Sequence, residues 1–185
     1  LPKEVDEPAV VAEREAPLSF AQSRIWFLEQ LEQDMVAYNM FSADMVEGSF
    51  DPEILRCCLE TIVGRQSSYR TNFSVKEGHP VQVVNSATKF YLPIVDLTDL
   101  EEENQKAEVD SRVKKEASAP FNLESDLKIR STVLKLADDK HVLMINQHHI
   151  ATDGWSTDLL WKELSCLYDA YSNDQPSPLS DLESS

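Results

Sequence analysis

Long apolar runs are absent from this sequence. None approaches the ~20 residues that a helix needs to cross a bilayer, so no spanning segment is expected. The first residues also lack the basic-then-apolar pattern of a secretory leader. Basic residues are few: 17 Lys and Arg stand against 33 Asp and Glu, a formal net charge of -16. Nucleic acid and anionic membranes both reward basic patches, so neither is expected as a partner. Cysteine is scarce too. The three thiols, adjacent at Cys57 and Cys58 with the third at Cys166, make neither a disulfide framework nor a metal-binding spacing, and core filling is their expected role. No segment repeats. The expectation is a soluble, acidic, cytoplasmic globule.

At 185 residues and 42% hydrophobic content, the chain can bury one sizeable core. Residues 1–17 are acidic, proline-containing and aperiodic, and read as a disordered linker. Residues 174–185 carry the Pro/Ser-rich exit Pro176-Ser177-Pro178, which is linker chemistry. With no initiating methionine at Leu1, both ends read as the edges of an excised piece. The folded unit is then 18–173.

Within it, Ser19 caps a helix continued by Ile25, Leu28 and Leu31, with Trp26 and Phe27 as core aromatics. Tyr38–Val46 reads as a strand, and Asp51-Pro52 opens a helix reaching about Gly64. Arg65, at its end, complements the helix dipole or is solvated. Thr71–Val75 and Pro80–Val84 form a hairpin with His79 at the turn. Leu92–Leu97 is a short apolar run and Leu100–Ala117 a charged surface helix. Leu127–Leu136 and Lys140–His149 are two strands, with Arg130 pointing inward on the first and His141 at the surface on the second. The alternation of helices and strands predicts an α/β fold, a mixed sheet with helices packed against it.

Chemistry concentrates at Asn146–Ser156. The apolar strand Val142-Leu143-Met144-Ile145 precedes it, and residues from Thr157 to Tyr171 follow with helical spacing. Neighbouring strand residues point to opposite faces, so His148 and His149 cannot both address one ligand unless the backbone bends. A metal site at His148, His149 and Asp153 fails for that reason, and HExxH-type helical spacing is absent.

The run His148-His149-Ile150-Ala151-Thr152-Asp153-Gly154, extended by Trp155 and Ser156, resembles the HHxxxDG signature of nonribosomal peptide synthetase condensation domains, relatives of chloramphenicol acetyltransferase. Two further segments resemble motifs of that family in the right order. Ser19-Phe20-Ala21-Gln22-Ser23-Arg24-Ile25-Trp26-Phe27-Leu28 is similar to the first core motif. Arg65-Gln66-Ser67-Ser68-Tyr69-Arg70-Thr71-Asn72-Phe73 is similar to the second, RHExLRTxF, but has Gln66, Ser67 and Tyr69 where that pattern has His, Glu and Leu.

The resemblance implies the N-terminal half of a two-lobed chloramphenicol acetyltransferase-like fold, with the C-terminal lobe outside this chain. It implies amide formation between an acyl thioester donor and an aminoacyl thioester acceptor. Both are carried on phosphopantetheine arms of carrier protein domains, with no cofactor tightly bound. By resemblance His149 is the base or positioning group, with His148 behind it and the Gly154 N–H facing the oxyanion. Asp153, ion-paired with Arg70, is structural, and Trp155 closes the motif from the core side. The first motif and the acidic leader together suggest a polyketide–peptide hybrid. Alternatives within reach of the same signature are an epimerase-like or ester-forming relative and a non-catalytic module that docks carrier proteins.

Overall fold

The structure, a computed structural model, describes residues 14–32, 35–152 and 154–180. Four helices and seven strands alternate along it: β1 (Arg14–Pro17), α1 (Phe20–Leu31), β2 (Asn39–Glu47), α2 (Pro52–Arg65), β3 (Thr71–Lys76), β4 (His79–Val84), β5 (Ile94–Asp96), α3 (Glu102–Ala117), β6 (Ile129–Ala137), β7 (Lys140–His148) and α4 (Gly154–Ser172). A 3-10 turn, Ser67–Arg70, joins α2 to β3. The α/β class is as expected. The strands divide between two sheets, ordered β1-β4-β3 and β2-β7-β6-β5. In the larger sheet β5 runs parallel to β6 while the other pairs are antiparallel, so it is mixed.

Local chemistry sets the elements. Ser19 and Gln22 form a reciprocal capping box at the start of α1, a device contributing on the order of 1 kcal/mol. Asp51 caps α2 through the Glu53 N–H, and Pro52 occupies the first turn, where its missing donor costs nothing. The β3–β4 hairpin turns at Glu77 and Gly78, with φ of 51° and 80°. Both lie in the left-handed region of a type I′ turn, matched to the twist of the strands.

Three apolar clusters hold the layers. On one face of the larger sheet, α2 and α4 bury Leu55, Cys58, Leu59, Ile62, Leu160, Leu164 and Leu167 against Leu143 and Ile145. On the other face, Leu134, Val142 and Met144 are covered by Leu97 and the half-buried Val109 and Val113 of α3. A third cluster, Phe73, Phe121, Leu123 and Ile150, meets the half-buried Ile25 and Trp26 of α1 beside the end of β7.

Several expectations are corrected. His141 is buried, not at the surface, because position 141 shares the face of Leu143 and Ile145. Phe50 covers it edge-on at 5.0 Å. Of the three cysteines only Cys58 fills core; Cys57 is half-buried and Cys166 exposed. Trp26 packs inward, whereas Phe27 is exposed. Arg65 is neither solvated nor a simple dipole partner: it lies 3.5 Å from the buried Glu163 carboxylate and donates to the Ser180 carbonyl at 2.5 Å. Of the stretch 1–17, residues 14–17 form an edge strand on β4, with Lys76 on Glu15 at 2.7 Å. A four-residue edge strand is too short for alternation to register. Residues 1–13 and 181–185 lie outside the described residues. Ahead of the latter, Leu179 packs on the first cluster.

The layering is testable at two adjacent positions of α4. Leu160 is 0% exposed and Leu159 40% exposed. Leu160→Ala is expected to cost ~2–5 kcal/mol and Leu159→Ala within ~0.5 kcal/mol. Urea unfolding of the two variants measures this, and equal losses would contradict the layering.

Candidate active site

The site forms where β7 ends. β7 lies between β2 and β6, so its last residues are held from both edges. The His148 N–H donates to the Lys128 carbonyl at 3.0 Å and the His149 N–H to the Tyr38 carbonyl at 2.9 Å. The chain then bends: the Ala151 N–H returns to the His148 carbonyl at 3.0 Å. That turn supplies the bend that lets two adjacent histidines adopt different settings. His148 is 1% exposed, while His149 is exposed at the surface of the turn.

Hydrogen bonding fixes both ring tautomers. The Ile150 N–H donates to His148 Nδ1 at 3.1 Å, so the ring proton sits on Nε2 and faces the Glu29 carboxylate at 3.2 Å. The ring of Phe121 meets His148 edge-on at 5.6 Å, and the Arg130 guanidinium stacks over Phe121 at 3.9 Å. Burial, reinforced by the neighbouring Lys128, His149 and Arg130, holds the His148 pKa down to about 4, so at neutral pH it is an uncharged spacer. His149 Nδ1 lies 2.7 Å from the Thr152 carbonyl oxygen. A carbonyl only accepts, so Nδ1 carries a proton, and in the neutral ring Nε2 is the lone-pair nitrogen.

Behind the turn sits a buried polar layer. Tyr69 donates from its hydroxyl to Gln147 Oε1 at 2.7 Å, and burial raises its pKa against a smaller opposing effect of the nearby Thr152 side chain. Lys128, fully buried, places Nζ on Asn72 Oδ1 at 3.0 Å and on the Asp126 carbonyl. Burial lowers its pKa to about 8. Arg70 is buried and donates to the carbonyls of Asn85 and Gly64, the latter at 3.3 Å. Asp153 lies outside the described residues, as does the side chain of Trp155; the backbone at Gly154 begins α4. Among the described residues no cluster of three His, Cys, Asp or Glu side chains is placed to hold a metal ion. No helix among them is long and apolar enough to cross a membrane.

The structure thus brings together His148, His149 and the start of α4, and sets Arg70 in the segment behind them. Arg130 reaches His148 only through Phe121. The sequence reading missed Glu29, Tyr69, Gln147 and Lys128. One signal was present: Gln22, Ile25, Trp26 and Glu29 share one stripe of α1 by their spacing, so a carboxylate stood on the face that packs inward.

His148 makes stability pH-dependent. A free histidine titrates near ~6.5 and folded His148 near 4, so between those values the unfolded chain binds more protons. Stability therefore falls as pH drops through that window and levels off below it. Glu29, whose pKa is raised by burial, acts in the opposite sense. In a Glu29→Gln background, His148→Gln is expected to flatten the dependence of unfolding free energy on pH by up to ~1.4 kcal/mol per pH unit. Denaturant titrations across roughly pH 7 to 4 check this, and an unchanged slope would refute it.

Comparison with known proteins places this geometry. The family model described as Condensation domain matches residues 12–184. A linear gramicidin synthase of Brevibacillus parabrevis is 36% identical over 94% of this chain, and chondramide synthase cmdD of Chondromyces crocatus 38% over 89%. The chain spans only 2% and 4% of those two proteins. Among solved structures, the starter condensation domain of rhizomide synthetase RzmA superposes with a TM-score of 0.80 at 22% identity, over 92% of this chain and 42% of that one. The first condensation domain of the calcium-dependent antibiotic synthetase gives 0.79 at 22%, over 91% and 40%. These last two likenesses speak for the fold, and the motif-bearing lobe of a two-lobed domain has that coverage. With the family match running through the bend at His148 and His149, the chain belongs to the condensation-domain family.

Proposed function

We propose that this lobe carries the catalytic half of an amide-forming site, joining a carrier-bound acyl thioester to a carrier-bound aminoacyl thioester. The observation that carries the reading is the setting of His149: its Nδ1–H is fixed on the Thr152 carbonyl, which makes Nε2 the lone-pair nitrogen of the neutral ring, on a residue exposed beyond a buried, neutral His148. The acceptor amine attacks the thioester carbonyl as His149 Nε2 accepts its proton. The tetrahedral intermediate then collapses with cleavage of the C–S bond, and His149 returns the proton to the departing thiolate. Such assistance is typically worth ~10² to 10⁴ in rate. The developing oxyanion faces the Gly154 N–H at the start of α4, where backbone donors and the helix dipole favour negative charge.

His148 serves as spacer, Trp155 closes the motif from the core side, and Arg70 pairs with Asp153 to tie the segment after α2 to the turn. Phosphopantetheine arms of carrier domains deliver both substrates, and a second lobe completes the site. A polyketide–peptide hybrid assembly line is the proposed setting.

Two measurements test this. In the intact parent protein, His149→Ala is expected to abolish carrier-bound amide product by mass spectrometry while the donor still loads. Retained product would leave the lobe as a docking module. Asp153→Ala is expected to lower the melting temperature through loss of the Arg70 pair, and an unchanged melt would remove that pair from the scheme.

A further inference from the structure

Tyr69 stands where the second motif's pattern has Leu, and a buried phenol needs a reason, because burying an unsatisfied hydroxyl is costly. The side chain is 0% exposed, and burial pushes its pKa up to about 12, so it is a neutral hydrogen-bonding group throughout the working range. It donates to Gln147 Oε1 at 2.7 Å, and the nearby Thr152 side chain partly opposes the rise of its pKa. Those two residues bracket the histidine pair: Gln147 is the residue before His148, and the Thr152 carbonyl accepts the His149 Nδ1–H at 2.7 Å. The backbone of the same tyrosine is laced to the site as well. Its carbonyl accepts from the Lys128 N–H at 2.7 Å, and the Lys128 carbonyl accepts from the His148 N–H at 3.0 Å.

We propose that Tyr69 is a positioning residue for His149. It pins the end of β7 through Gln147 and, through Lys128, the His148 backbone, so the turn that brings the Thr152 carbonyl back to His149 Nδ1 starts from a fixed strand end and holds the Nδ1–H tautomer. Tyr69 touches no reacting atom; it acts through the turn. Leucine in its place fills volume but leaves Gln147 Oε1 without this donor. The phenol and Gln147 are therefore a matched pair in this chain, and a leucine at 69 calls for a different residue at 147.

The inference rests on the reading of His149 as the proton acceptor, and the test separates the two. In the intact parent protein with both carriers loaded, Tyr69→Phe is expected to lower kcat for amide formation by ~10 to 100-fold, with KM for the acceptor unchanged. ¹⁵N NMR of the histidine rings is expected to show His149 as the Nδ1–H tautomer in the wild type and as a tautomer mixture in the variant. Tyr69→Phe combined with Gln147→Leu removes the unpaired amide and is expected to recover much of the melting temperature without recovering the rate. A wild-type rate in Tyr69→Phe, an unchanged tautomer, or a rate restored with stability in the double variant would each overturn the proposal. If wild-type protein forms no amide, the proposed function fails, and the tautomer comparison still decides whether Tyr69 positions the ring.

Discussion

The register of β7, hydrogen-bonded to β2 on one side and β6 on the other, is the constraint on which the site depends. Strand side chains alternate, so slipping β7 by one residue would exchange every side chain between faces. The actual register sends Leu143, Ile145 and Gln147 toward α2 and α4, and Val142, Met144, Asn146 and His148 toward the opposite side. His148 is thereby committed to burial before any question of chemistry arises, and the bend that follows exposes His149. Three polar side chains in succession end the strand, and each has a partner: the Asn146 amide N–H meets the Glu116 carbonyl at 3.0 Å, while its Oδ1 has no partner among the described residues, Gln147 is met by Tyr69 and His148 by Glu29. Leaving any of them unanswered would cost more than the bond itself contributes.

The second motif shows how a family scaffold absorbs substitutions. Gln66 occupies a position where the usual pattern has histidine, and its amide donates to the buried Glu163 carboxylate at 2.6 Å, which also faces Arg65. Tyr69 replaces leucine and is matched by Gln147. Both of these departures are met by a partner from another element, α4 for Gln66 and β7 for Tyr69. The polar additions knit the layers together instead of leaving holes between them.

Much of this was legible in the sequence. The strand–turn–helix context of the histidines, the caps at Ser19 and Asp51, the hairpin at Glu77-Gly78 and the helical spacing of α2 and α4 follow from local rules that need no neighbours. What was not legible depends on who lies opposite whom. His141 reads as a strand-edge polar residue until Phe50 is seen to cover it. Glu29 lies on the inward stripe of α1 by spacing, but nothing local says that His148 is what it meets. Tyr69 and Gln147, 78 positions apart, look like two unrelated polar residues until the 3-10 turn and the end of β7 are placed side by side. The split of the strands into two sheets was hidden for the same reason, since β1 is too short to carry a period of its own.

Helix α1 has no fully buried residue. It is held by its capping box, by half-buried Ile25 and Trp26 and by the Glu29 carboxylate on His148. An element that commits so little apolar area is of the kind that opens locally at a lower free energy than global unfolding. Glu29 travels with the helix, so each opening strips His148 of its carboxylate partner while β7 stays in place. The fraction of time this ring is fully held is thus governed by one of the most weakly anchored elements of the lobe.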